Sequence, residues 1–186
     1  MKELVFASGN AQKFAEAEAI LSSFGYNLRM RSCQLEELQT TDETKLVRRK
    51  CIDAYKLIGR ALFVEHTSLR LPHLGGFPAG LTQPFLKTVG LENAVKLLFD
   101  SRSQVALGVT TIAYTDGRTI TTVHGEMQGK LVPTPSTAAG DWEGFGWNQI
   151  FVPDGYSETL AKLGMHEKNK ISMRRAALER LVTVLA

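Results

Sequence analysis

Phe63-Val64-Glu65-His66-Thr67-Ser68-Leu69 joins a run of core-type residues to a polar pair. The pattern predicts a strand over 60–64 that stops on Glu65-His66. Soon afterwards comes the loop Gly75-Gly76-Phe77-Pro78-Ala79-Gly80. Sites in α/β proteins sit where a strand ends and a loop takes over, because the loop shapes the crevice while the sheet holds it rigid. Glu65 and His66 are therefore the first candidates for catalysis. Strand alternation sends their side chains to opposite faces.

Upstream, residues 4–8 read as a short strand, and Gly9-Asn10 turns the chain into a helix over 11–23. Phe14, Ala17, Leu21 and Phe24 share one face of that helix, Gly25 stops it, and Lys13, Glu16 and Glu18 are expected to face water. Residues 27–32 alternate polar and apolar, a strand with one wet face. An acidic stretch, 35–44, leads into a helix over 43–58. Val47, Cys51, Ala54 and Ile58 mark its inner face, Lys50 lies at the edge of that face, and Gly59 ends it.

Downstream, short helices are expected at 82–88 and 91–100. Residues 105–115 and 119–132 form a hairpin about Asp116-Gly117, the second arm broken by Gly125 and Gly129. After a loop and Gly144-Phe145-Gly146-Trp147-Asn148 come a strand at 149–152, a turn at 153–155 and a last helix over 172–185. Strands alternating with helices around one long hairpin indicate one α/β domain with a mixed sheet and no linker.

The chain has 186 residues, 44% hydrophobic and 22% charged, with net charge +3. No apolar run approaches the ~20 residues of a membrane span, and the N-terminus lacks a signal-peptide layout, so a cytoplasmic protein is expected. Cys33 and Cys51 have no metal-binding spacing and read as reduced thiols. The small charge argues against duplex nucleic acid but allows an anionic ligand where cations cluster. They cluster in Arg48-Arg49-Lys50 and in Lys168, Lys170, Arg174 and Arg175.

Four pieces carry chemistry. Ser8-Gly9-Asn10-Ala11-Gln12-Lys13 is a strand–turn–helix junction whose free N–H groups and first-turn lysine favour an anion. Lys50, on the second long helix about fifteen residues before the Glu65 strand ends, adds a cation. Glu167 to Arg175 holds Lys168, Lys170, Arg174 and Arg175 at what reads as the entry to the last helix. Phe145-Gly146-Trp147-Asn148 sets two aromatics about a glycine, which suits stacking on a flat heterocycle. Together they describe a nucleoside triphosphate cleft.

The ordered series Ser-Gly-Asn-x-x-Lys, Val-Glu-x-Thr-x-Leu, Leu-Gly-Gly-x-Pro, Phe-Gly-Trp, Pro-Asp-Gly-Tyr and Glu-Lys-Asn-x-x-Ser-x-Arg resembles the inosine triphosphate pyrophosphatase family from Val5 to the final helix. The resemblance implies a long central mixed β-sheet flanked by helices in two lobes, with a nucleotide cleft between them. It also implies Mg²⁺-dependent cleavage of inosine- and xanthosine-type triphosphates to monophosphate and pyrophosphate, usually by a homodimer. It assigns Ser8, Asn10, Lys13 and Lys50 to phosphate, and Phe145, Gly146 and Trp147 to the base. Lys168, Ser172 and Arg174 would read the 6-oxo group, and Glu37 (or Glu36) would hold the metal.

Four positions depart from the family pattern. His66 stands where the family has a metal-binding, water-activating aspartate. Gln83 replaces a lysine, Asn148 an aspartate and Met173 a histidine. Histidine is a poor ligand for Mg²⁺, and general base catalysis is worth ~10²–10⁴-fold. The expectation is a nucleotide-binding protein with weakened or lost hydrolysis, suited to a sensor subunit that reports to an effector protein in a bacterial defence or stress complex. The alternative is an active pyrophosphatase that uses Glu37, Glu65 and a metal that accepts His66. Neither nucleic acid nor membrane is expected as a partner.

Overall fold

A computed structural model describes residues 2–137 and 146–185. The sheet is mixed and has seven strands, with β1 (Lys2–Ala7) and β2 (Tyr26–Arg31) at one end. β3 (Leu62–Arg70) follows β1 in the order, then β5 (Val105–Thr115), β6 (Ile120–Leu131) and β7 (Phe151–Pro153). The two-residue β4 (Pro78–Ala79) pairs with β3 off this path. The α/β mixed sheet expected from the sequence is the one observed.

Helices cover both faces. α1 (Ala11–Ser22) and α6 (Met173–Leu185) pack on Leu4, Phe6, Phe63 and Ile112. α2 (Glu43–Ile58) packs on Val5, Ala7, Leu62, Val64 and Ala113. A third cluster lies beyond the far end of β3, where Leu69, Leu71, Ala106 and Trp147 meet α3 (Thr82–Val89), α4 (Leu91–Leu98) and α5 (Leu160–Ile171). Among the described residues no helix is long and apolar enough to cross a membrane.

Local chemistry explains the helix ends. Asn10 caps α1 by accepting from the Lys13 N–H at 2.9 Å, and Asp42 caps α2 by accepting from the Lys45 N–H at 2.9 Å. Each satisfies one of the donors a helix start leaves open. Gly59 ends α2 in the left-handed conformation at φ 69°, which glycine adopts without a Cβ clash.

Several sequence expectations change. The strand expected over 60–64 runs on to Arg70, because β5 pairs with it continuously from Leu62–Thr115 to Arg70–Leu107. Glu65-His66 is thus mid-strand. What ends near it is β1, paired with β3 at Phe6–Phe63, while β4 joins only at Leu69 and Arg70. Between these contacts the β1-side edge of β3 lies open.

The helix α5 was not expected from the sequence. Gly164, at φ 73°, interrupts its helical backbone and its periodicity. Lys168 therefore lies in the last turn of α5, not at the start of α6. Glu16, expected in water, is 3% exposed, and Phe24 falls beyond the end of α1 and is 40% exposed. Gly125 and Gly129 do not break β6. They admit close neighbours: a Cβ on Gly125 would lie 2.2 Å from the Met173 carbonyl oxygen and 2.4 Å from the Ala177 nitrogen.

That approach seats the first turn of α6 on the sheet. Gly125→Ala is expected to destabilise the fold by ~1–3 kcal/mol, the usual range for overpacking. The midpoint of urea unfolding measures it.

Candidate functional site

Where β1 and β3 part, a cleft of about 690 Å³ opens. Ala7, Ser8, Gly9, Asn10 and Lys13 form one wall, the end of β1 and the start of α1. Cys33 to Glu37 form a second, while Lys50, Glu65 and Gln83 close the floor. The Ser8 hydroxyl accepts from the Asn10 N–H at 3.2 Å and tightens the turn into α1.

Beneath the cleft lies a buried charge network. Arg174, at the start of α6, donates from Nε to Glu65 Oε2 and from Nη2 to Glu65 Oε1, both at 2.9 Å. Its Nη1 donates to Glu16 of α1, and its Nη2 reaches the Thr67 hydroxyl at 3.4 Å. Lys168 donates to Glu16 at 2.8 Å, and Lys13 lies 3.3 Å from Glu65. Burial alone would raise the Glu65 carboxyl, but Arg174 and Lys13 hold it down at about 2. Burial works to lower Arg174; Glu65 and Glu16 overcome it and raise the guanidinium above its usual value. Burial lowers Lys13 and Lys168, opposed by Glu65 and Glu16 respectively.

Across the cleft, Lys50 of α2 donates to Glu37, and its Nζ lies 3.5 Å from the Glu65 carbonyl oxygen. Burial opposes ionisation of Glu37, yet Lys50 holds its carboxyl below the usual range. His66 is 2% exposed, and its Nε2 has no hydrogen-bond partner among the described residues. It shares its face of β3 with Val64, which packs on α2, and with Ser68, which donates to Glu43 of α2 at 2.8 Å. Burial, then the Lys13 charge, push the imidazole down to about 4, so it is neutral at pH 7.

The structure thus gathers Ser8, Asn10, Lys13, Glu37, Lys50 and Glu65 at the cleft and sets Lys168 and Arg174 directly beneath it. Ser172 is 1% exposed; its hydroxyl accepts from the Arg175 N–H at 3.2 Å. Gly146, Trp147 and Asn148 lie on a 3-10 turn, Gly146–Gln149. Trp147 is buried edge-on to Phe151, with ring centroids 5.3 Å apart, and lies over Gly108. Asn148 is also buried. Phe145 lies outside the described residues. Glu16, expected in water, and Thr67, to which the sequence assigned no role, complete the network. Glu16 carried one signal: it falls one turn after Lys13 on the same helix.

Mg²⁺, implied by the resemblance, needs hard oxygen ligands in near-octahedral array. Glu36, Glu37 and Glu65 line the cleft, yet no group of three His, Cys, Asp or Glu among the described residues is placed to hold a metal ion. Both oxygens of Glu65 engage Arg174, Glu37 engages Lys50, and His66 offers a neutral nitrogen on the other face of β3. Glu36 and Glu37 remain, and since Mg²⁺ in nucleotide sites is bound through one or two carboxylates together with substrate phosphates, these two would hold it.

Known proteins share this framework. The pattern of the Ham1 family matches residues 4–184. An inosine triphosphate pyrophosphatase of Yarrowia lipolytica is 34% identical over 186 residues, covering 98% of this chain and 95% of that one. A dITP/XTP pyrophosphatase of Methanopyrus kandleri is 33% identical over 180 residues, covering 96% and 93%. The solved structure of a HAM1 protein from Coxiella burnetii superposes with TM-score 0.79 at 25% identity, covering 100% and 98%.

Two outcomes follow from the network. Glu16→Gln leaves Lys168 and Arg174 short of a buried negative charge and is expected to cost ~3–5 kcal/mol in denaturant unfolding. The pH dependence has two parts. Both folded pKa values lie below their ordinary ones, 6.5 for His66 and 4.5 for Glu65. Each group therefore stabilises the fold above its ordinary pKa and ceases to as pH falls. Stability should drop between about 6.5 and about 4 through His66, and from about 4.5 to about 2 through Glu65. His66→Gln should remove the upper part alone in thermal melts across pH.

Proposed function

The chain belongs to the Ham1 family, and on that premise we propose that its cleft binds a purine nucleoside triphosphate of the inosine or xanthosine type and cleaves it slowly or not at all. The observation that carries the second half is His66: neutral, buried and turned to the α2 face of β3. The first half is supported by the pyrophosphatase names of the relatives and by the cations around the cleft.

In this reading the phosphates lie against the start of α1, where the helix dipole, Lys13 and Lys50 meet negative charge. The base lies towards Lys168, Ser172 and Arg174, with Gly146, Trp147 and Asn148 shaping that end. Arg174 is held by Glu65 and Glu16 before any ligand arrives, so little reorganisation is needed there. Phe145 joins the base loop by the sequence pattern alone.

Hydrolysis fares worse. No carboxylate stands at position 66 to take a proton from water or to join Glu36 and Glu37 on a Mg²⁺ ion. When present, the metal would polarise the phosphoryl oxygens and the attacking water. Glu65 is ionised, but its lone pairs face Arg174 and Lys13, so it makes a weak base. A ligand that survives can hold the conformation it prefers and report it. That suits a sensor whose recipient is an effector protein or a second copy of this chain.

Pyrophosphate release from inosine triphosphate with Mg²⁺ or Mn²⁺, measured beside calorimetric binding, tests this. Binding with release at least ~10²-fold below the usual 1–10³ per second is expected. Release within that range would make the chain an active pyrophosphatase. His66→Asp should raise metal-dependent release about tenfold or more; no gain would place the defect at Gln83, Asn148 or Met173.

A further inference from the structure

We propose that the outer edge of β2 takes an extended acidic segment of a partner protein as an added strand, its carboxylates pairing with Arg29 and Arg31. This surface lies apart from the cleft, and the proposal does not depend on what the cleft holds.

β2 closes one end of the sheet. Among the described residues its one strand neighbour is β1, paired with it in parallel from Lys2–Tyr26 to Ala7–Arg31. At every second residue of β2 the N–H and C=O therefore point away from the sheet, a template for a further strand. Both ends of the edge are fixed. The Lys2 N–H donates to the Gly25 carbonyl at 3.2 Å just before β2, and the Ser8 N–H donates to the Arg31 carbonyl at 3.1 Å where β2 ends. A strand that docks there meets a host already in place, so little ordering opposes it.

The charge along this edge selects the occupant. Tyr26 and Leu28 are buried in the cluster under α1, and Met30, next on that face, is 40% exposed. Arg29 and Arg31 alternate to the other face. With Glu3 and Val5 of β1, Met30, and Arg60 just after α2, they line a groove of about 420 Å³. Arg60 donates to Glu3 at 2.7 Å, and Arg29 Nε lies 3.5 Å from the same carboxylate. Three guanidiniums thus line the groove against one carboxylate, and positive charge is left over. Two copies of the chain meeting edge to edge would set arginine against arginine, which neighbouring strands disfavour. An acidic strand meets the opposite charge. Side chains of an added strand alternate in step with those of β2. Acids at every second position then reach Arg29 and Arg31, while the residues between lie beside Leu28 and Met30. The segment that fits alternates acidic and apolar residues. A nucleic acid or a lipid surface would use the arginines but not the backbone of the edge.

Fluorescence anisotropy of a labelled peptide of alternating glutamate and valine, titrated with the whole chain, tests this. The peptide is expected to bind, and its counterpart with lysine for glutamate is not. Arg31→Glu should weaken binding about three- to thirty-fold, because an attractive cross-strand pair becomes a repulsive one. Arg102→Glu, beyond the end of α4, changes the net charge equally and should leave binding unaltered. Methylating the backbone nitrogens of the peptide should abolish binding, since the added strand loses its donors. Unaltered melting of both variants confirms their folds. A peptide that fails to bind, equal binding after methylation, or no loss with Arg31→Glu overturns the proposal. Binding of a thymidine oligonucleotide or of phosphatidylserine vesicles that Arg31→Glu removes, without binding of the peptide, assigns the arginines to nucleic acid or lipid instead and overturns it too.

Discussion

A guanidinium cannot leave water unless anions surround it. Arg174, 3% exposed, sits between Glu65 of β3 and Glu16 of α1. Removing either partner would strand a charge in the interior. This constraint joins three elements far apart in the chain and sets where α6 begins. Gly125 meets the same demand from the other side. With no side chain there, the backbone at Met173 and Ala177 can press on β6 and bring the guanidinium into reach. The hydroxyl pair Thr67 and Thr110, 3.2 Å apart, extends the polar face of the sheet from the network towards β5.

From that anchor the chemistry divides along one strand. Odd residues of β3, Glu65 and Thr67, face α1 and α6, where the cations converge. Even residues, His66 and Ser68, face α2. There Glu43 is the local anion, accepting from Ser68 and from Arg70 Nε, both at 2.8 Å. A substitution at 66 therefore acts on the α2 side of the strand and leaves the contacts of Glu65 with Arg174 in place.

The sequence exposes local features well. The 43–58 helix is observed as Glu43–Ile58, since a capping aspartate at one end and a glycine at the other bound a periodic apolar face. The hairpin about Asp116-Gly117 and the strand 105–115 are legible for similar reasons. The turn into α1 is legible because Ser8, Asn10 and Lys13 meet through contacts two or three residues away. The length of β3 was not legible, since pairing with β5 carries it through polar residues that look like a strand end. Nor was α5, whose pattern Gly164 interrupts. Glu16 was misread because a buried carboxylate and an exposed one look alike until the partner is known.

What the sequence determined by itself is an inventory: a histidine at 66, lysines at 13, 50 and 168, an arginine at 174, and the ordered motifs that place the chain in its family. Which charges face one another was decided only by the tertiary structure. The partners of Arg174 lie 109 and 158 residues away along the chain. A charge seeks whichever opposite charge the fold brings near in a low-dielectric interior, and nothing in the spacing along a chain encodes that proximity.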